Sequence, residues 1–174
     1  MNQAFAMLYN SWMPDSITDI HTTIHKQPKS MAKYSSQPVS ISGSQSDVYN
    51  KISNLGAYQE LLDKMPDDLR QKAGDVHFTD DAIIINANPV GEIRLEIIDR
   101  HEPDMIKFKA SNAPVPMFLS LELAKETETT TRLIAVIEVE VPAILKPMIG
   151  PKMQEAANQM ATLVGRLFNG NNKQ

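Results

Sequence analysis

The stretch KPMIGPKMQEAANQMATLVGRLF, residues 146–168, reads as one long amphipathic helix that follows an unbroken run of strands. Ile149, Met153, Ala156, Met160, Leu163 and Leu167 alternate steps of four and three, which sets them along one helical stripe. Ala157, Val164 and Phe168 widen the stripe beyond a narrow seam, so this face needs a broad apolar partner. Only the sheet formed by the preceding residues is large enough. A curved sheet covered by one long helix encloses a space, and the pattern therefore predicts a pocket.

Working back from the helix, Arg132 to Val141 turns Leu133, Ala135, Ile137, Val139 and Val141 inward against Glu138 and Glu140. Thr127 to Thr131 is a polar hairpin tip, and Val115 to Leu123 places Met117, Leu119, Leu121 and Leu123 inside. Met105 to Ala110 puts Ile106, Phe108 and Ala110 on one side, opposite Lys107 and Lys109. Glu92 to Ile98 alternates almost strictly. Asp75 to Thr79 and Ala82 to Asn88 flank a tight turn at Asp80-Asp81, and Asn88-Pro89-Val90-Gly91 makes the next turn. Ahead of them, Ser44 or Ser46 caps a helix carrying Val48, Ile52 and Leu55, which Gly56 breaks. A second short helix runs from Ala57 to Lys64 through Tyr58, Leu61 and Leu62 and cannot continue through Pro66. Lys33 to Ile41 reads as one strand, with Pro38 marking an edge or a bulge. The expected class is α+β: a curved antiparallel sheet of about seven strands, two short helices, and one long C-terminal helix over the concave face.

Composition narrows the function. The 174 residues suit one domain, with residues 31–170 as its body and 171–174 as a disordered end. Residues 1–30 are polar and aperiodic; they read as a flexible tail or an over-extended start ahead of Met31, or as an arm that packs through Phe5, Leu8, Tyr9 and Trp12. The formal charge of −4, without a basic patch, argues against a nucleic-acid partner. The chain contains no cysteine, which removes disulfides, thiolate metal sites and thiol nucleophiles. No apolar run is long enough for stable membrane insertion, and the N-terminus lacks the charge pattern of a secretory signal. The expectation is a cytoplasmic protein; its oligomeric state is not readable from these residues.

The element order β-α-α-β, the run Asn88-Pro89-Val90-Gly91-Glu92-Ile93-Arg94-Leu95-Glu96-Ile97, Ile106-Lys107-Phe108, Pro114-Val115-Pro116 and Leu145-Lys146-Pro147-Met148 carry a family likeness. From Lys33 to Phe168 the chain resembles the START-like superfamily, also called SRPBCC or Bet v 1-like, whose fold is the helix-grip. Within it, the chain looks most like small bacterial polyketide cyclase/dehydrase-like proteins. The resemblance implies a hydrophobic cavity between sheet and long helix, which relatives use for lipids, sterols, polyketides or plant hormones. The dioxygenase branch of the superfamily implies paired histidines and a carboxylate on iron, a pattern this chain does not reproduce.

No catalytic set and no metal or cofactor site emerges. His77 alternates with Val76 and Phe78 and so faces outward if those two face the core. His101 lies in a charged turn, Asp67-Asp68 and Asp80-Asp81 read as turn residues, and His21 with His25 lacks a third ligand. Met117, Met148, Met153 and Met160 bring flexible side chains toward the expected cavity, either as gap-fillers or as a plastic wall. Few polar groups could orient a ligand: Tyr58, Asn86, Asn88, Asn112, Ser120 and Gln159. The expected ligand site is Tyr58, Ile93, Leu95, Phe108, Met117, Leu119, Leu121, Ile137, Met153 and Met160, holding a small hydrophobic or lipid-like molecule without catalysis. Two other functions stay open. One is a cyclase/dehydrase-type enzyme acting on a polyketide-like substrate through His77 or Tyr58. The other is a protein-interaction module using a sheet edge or residues 1–30.

Overall fold

The computed structural model describes residues 29–64, 67, 75–87 and 91–169. The readings made on Phe5, Leu8, Tyr9, Trp12, His21, His25, Pro66, Asp68, Asn88 to Val90 and 171–174 lie outside them. Among the described residues the chain forms β1 (Lys29–Ser35), β2 (Val39–Ser42), α1 (Gln45–Ser53), α2 (Leu55–Asp63), β3 (Asp75–Phe78), β4 (Ala82–Ala87), β5 (Gly91–His101), β6 (Met105–Ser111), β7 (Met117–Lys125), β8 (Thr130–Pro142) and α3 (Lys146–Asn169). The eight strands make one antiparallel sheet in the order β1-β8-β7-β6-β5-β4-β3, with β2 also pairing β8. This is the helix-grip α+β fold, with one strand more than the alternation implied.

The extra strand comes from the edge. Lys33 to Ile41 is not continuous: β1 pairs with one half of β8 and β2 with the other, from Val39↔Leu133 to Ser42↔Thr130. Pro38, which lacks an N–H, lies in the break. Ser36 bridges it, because its Oγ accepts from Ala135 N at 2.9 Å while its own N–H donates to the Ala135 carbonyl at 2.8 Å. A hydroxyl thus stands in for a missing ladder group. β1 also begins earlier than the alternation suggested, since Lys29 and Ser30 pair with Pro142 and Val141.

The boundary between the short helices also moves. Ser44 caps α1, its Oγ accepting from Asp47 N at 3.2 Å, and Asn54 ends the helix with its N–H on the Asn50 carbonyl. Gly56 therefore lies inside α2 and does not break the first helix. It lies close to the exposed Asp80 side chain: a Cβ would sit 2.7 Å from a carboxylate oxygen that is free to turn away. The expected turn at Asp80-Asp81 is present, closed by the Thr79 N–H on the Ala82 carbonyl at 2.8 Å. A register shift between Ile97 and Asp99 ends the strict alternation of β5 and leaves Ile98 exposed. Such bulges bend a strand and help the sheet curl.

Side-chain alternation divides the sheet into two faces. Leu95, Ile106, Phe108, Leu119, Leu121, Leu133, Ile137 and Val141 are buried on the concave side. The outer face carries paired charges. Lys107 Nζ lies 2.6 Å from Glu138 and 5.2 Å from the Phe118 ring, and a hydrogen bond from Ser111, with Arg94 beside it, holds the Glu96 carboxyl below its usual range.

The long helix covers the concave face unevenly. α3 packs on β8, β2 and β1. Its most deeply buried line is Ala157, Ala161 and Gly165, three small residues spaced by four. The bulky stripe Met160, Leu163 and Leu167 lies to one side of that line, with Leu167 45% exposed. Small side chains let helix and sheet backbones approach closely, and a Cβ at Gly165 would fall 2.6 Å from Val39 Cγ1. The opposite flank of α3 is held by hydrogen bonds to the broken edge strand. Gln37 N donates to Asn158 Oδ1 at 2.8 Å, Ser42 N donates to Asn169 Oδ1 at 2.9 Å, and Asn169 Nδ2 donates to the Ser40 carbonyl at 3.0 Å. These side chains occupy edge groups that would otherwise template another strand.

The Gly165–Val39 contact generates a direct test. Gly165→Val overfills the closest point between α3 and β2 and is expected to cost about 1–3 kcal/mol. Urea unfolding should show a lower midpoint at an unchanged slope; an unchanged midpoint would mean that the helix is not seated there.

Candidate functional site

Because α3 rests on one side of the sheet, it does not cover the concave surface from β3 to β7, where only the short helices α1 and α2 pack, against β7 and β3. A cavity of about 590 Å³ fills the gap. The sheet contributes its floor through Ile83, Ile85, Leu95, Phe108, Ala110, Met117, Leu119, Leu121 and Ile137. Ile52, Leu55, Tyr58 and Phe78 close one side, and Ala156, Met160, Leu163, Val164, Leu167 and Phe168 come from α3. The mouth runs along the exposed side of that helix, past Glu155, Gln159, Thr162 and Arg166.

Eight of the ten residues read from the sequence as a ligand site border this space: Tyr58, Leu95, Phe108, Met117, Leu119, Leu121, Ile137 and Met160. Ile93 and Met153 do not. Both are buried in the core, Met153 near the start of α3 and Ile93 opposite Ile85. The methionines divide similarly. Met117 and Met160 face the cavity, whereas Met148 is 65% exposed and is no part of its wall. The pattern on β4 did not reveal Ile83 and Ile85, because three successive isoleucines conceal which face each one takes. Ala110 also went unnamed as a wall residue: a small side chain carries no sign that space lies beyond it.

Polar chemistry inside the cavity is sparse. The Tyr58 ring packs against Phe78 with centroids 5.6 Å apart, and its hydroxyl has no hydrogen-bond partner among the described residues. Burial pushes its phenol pKa above the ordinary range, so the group is a neutral donor at neutral pH. Asn158 and Gln159 are already engaged, the first by Gln37 N and the second by donating to Glu155 Oε1 at 3.0 Å. Asn86, Asn112 and Ser120 do not border the cavity. His77 is exposed and pairs with Asp75 at 3.0 Å, and His101 is exposed beside Asp99 at 3.2 Å. Among the described residues no cluster of three His, Cys, Asp or Glu could hold a metal ion, and no helix is long and apolar enough to cross a membrane.

Neither a protein-family model nor a curated protein matches the sequence. Solved structures do match. Norcoclaurine synthase from Thalictrum flavum, in complex with dopamine and hydroxybenzaldehyde, superposes with a TM-score of 0.62 at 12% identity, over 93% of this chain and 98% of that one. A point mutant of the same enzyme, with a transition-state analogue, gives 0.61 at 13% identity over 84% and 99%. A START superfamily protein from Mycobacterium smegmatis gives 0.46 at 13% identity, over 80% and 99%. The likeness is one of fold alone, the fold of norcoclaurine synthase.

The position of Tyr58 is open to titration. Subtracting the alkaline absorbance titration of Tyr58→Phe from that of the unmodified protein should isolate a phenol with a midpoint above 10.0. Since the folded-state pKa is raised, this group's contribution to stability is intact below the ordinary tyrosine pKa and is lost as pH climbs through the higher folded value. A midpoint at or below the ordinary value would place the hydroxyl in water.

Proposed function

We propose that this chain is a non-catalytic, cytoplasmic binding protein for a small hydrophobic or lipid-like molecule, held between the sheet and α3. The carrying observation is a cavity of about 590 Å³ whose floor and walls are almost wholly aliphatic and aromatic. That size lies within the range of small-molecule sites. Each methylene transferred from water to such a wall contributes about 0.8 kcal/mol, so a modest apolar ligand needs no special chemistry to bind. Met117 and Met160 add side chains that adapt to ligand shape.

Acid/base catalysis on a polyketide-like substrate would require a titratable group in the cavity with a polar partner to orient it. Tyr58 is the one aromatic hydroxyl on the wall, and it has no such partner among the described residues. His77 lies outside the cavity. The balance favours holding a molecule over transforming it.

The neutral probe N-phenyl-1-naphthylamine tests this reading. Its fluorescence should rise on titration with the protein, and Ala110→Trp, which fills the floor, should weaken binding by about tenfold or more, or 1.4 kcal/mol. An unchanged circular dichroism spectrum would show that the variant folds. Absence of any fluorescence rise with the unmodified protein would overturn the proposal.

A further inference from the structure

We infer that the ligand is an amphipathic anion, an apolar body ending in a carboxylate or similar acid group, with the acid seated at the Arg166 end of the mouth. This rests on the binding reading above and adds polarity and direction to it.

The polar groups still available at the cavity carry this assignment. Arg166 borders it, is exposed, and takes part in none of the ion pairs among the described residues. A second cation stands behind the wall: Lys51 Nζ is 5.8 Å from the centre of the Phe168 ring, itself part of the cavity lining, and it too has no carboxylate partner among those pairs. Arg166 in the last turn of α3 and Lys51 in the last turn of α1 each also oppose their own helix's partial negative charge, but that role needs no cavity and does not account for the missing carboxylates. The Tyr58 and Thr162 hydroxyls and Asn158 Nδ2 can each donate a further hydrogen bond, while Gln159 Oε1 can accept one. The mouth's carboxylate, Glu155, stands at the other end, eleven residues or about 16 Å up the helix, and already accepts from Gln159. In a protein of net charge −4, the local excess of cations and donors selects for an acid. The guanidinium is also suited to grip a carboxylate with two parallel hydrogen bonds.

The test is displacement of N-phenyl-1-naphthylamine by decanoate, decanol and decylamine, which share an apolar chain and differ only in the head. Decanoate should bind about tenfold more tightly than decanol, as one charge-assisted contact warrants, and decylamine weakest. The acid's advantage should shrink with added salt. In Arg166→Gln the decanoate-to-decanol ratio should fall to within about twofold, and Lys51→Gln should lower it partway. Equal binding of acid and alcohol by the unmodified protein, or a ratio unmoved by Arg166→Gln, would overturn the anion assignment while leaving the apolar cavity intact. Failure of all three to displace the probe would overturn both.

Discussion

The architecture depends on how closely α3 approaches the β8–β2 side of the sheet. Ala157, Ala161 and Gly165 place almost nothing between the two backbones, and the missing Cβ at Gly165 is what Val39 packs into. A helix carrying Leu at those positions would stand further off and nearer the middle of the concave face. Here it is drawn to one side. The uncovered half of the sheet, still lined with large aliphatic residues, becomes the cavity. Tight packing in one place thus creates empty space in another.

Hydrogen bonds reinforce this asymmetry. Asn158 and Asn169 tie one flank of the helix to the broken edge strand, the first through Gln37 N in the break itself and the second through Ser42 N and the Ser40 carbonyl on β2. The other flank, which carries Met160, Leu163 and Leu167, has no such ties to the sheet among the described residues. One side of α3 is fixed by polar contacts, while the other meets the cavity through side chains that are apolar and, in part, flexible. The fold shared with norcoclaurine synthase accommodates enzymes as well as this arrangement, so function has to be argued from the residues that border the cavity. Those residues are apolar in the interior and cationic at one end of the mouth.

Much of this was legible in the chain. Alternation in β6, β7 and β8 assigned Phe108, Leu119, Leu121 and Ile137 to the concave face, and the structure buries all four there. His77 was readable as outward-facing from its neighbours for the same reason. Misplaced features share a cause. Gly56 looks like a helix breaker, but it lies inside α2, with Asp80, more than twenty positions away in the chain, beside it. Met148 and Met153 belong to the same helix as Met160, yet sequence spacing does not say how far along its length the cavity extends.

The sequence by itself determined the kinds of element, their order and the apolar face of each strand, because those follow from local periodicity and turn chemistry. It also determined that a long apolar helix had to be covered by a sheet. Only the tertiary structure decided which line along that helix makes the contact. The bulky stripe was the natural choice on hydrophobicity, but the small residues beside it permit the closer approach, and distance between backbones is a property of two elements together. The same is true of the cavity. Lys51 and Phe168 lie more than a hundred positions apart in the chain, and folding sets the first against the ring of the second, which lines the cavity.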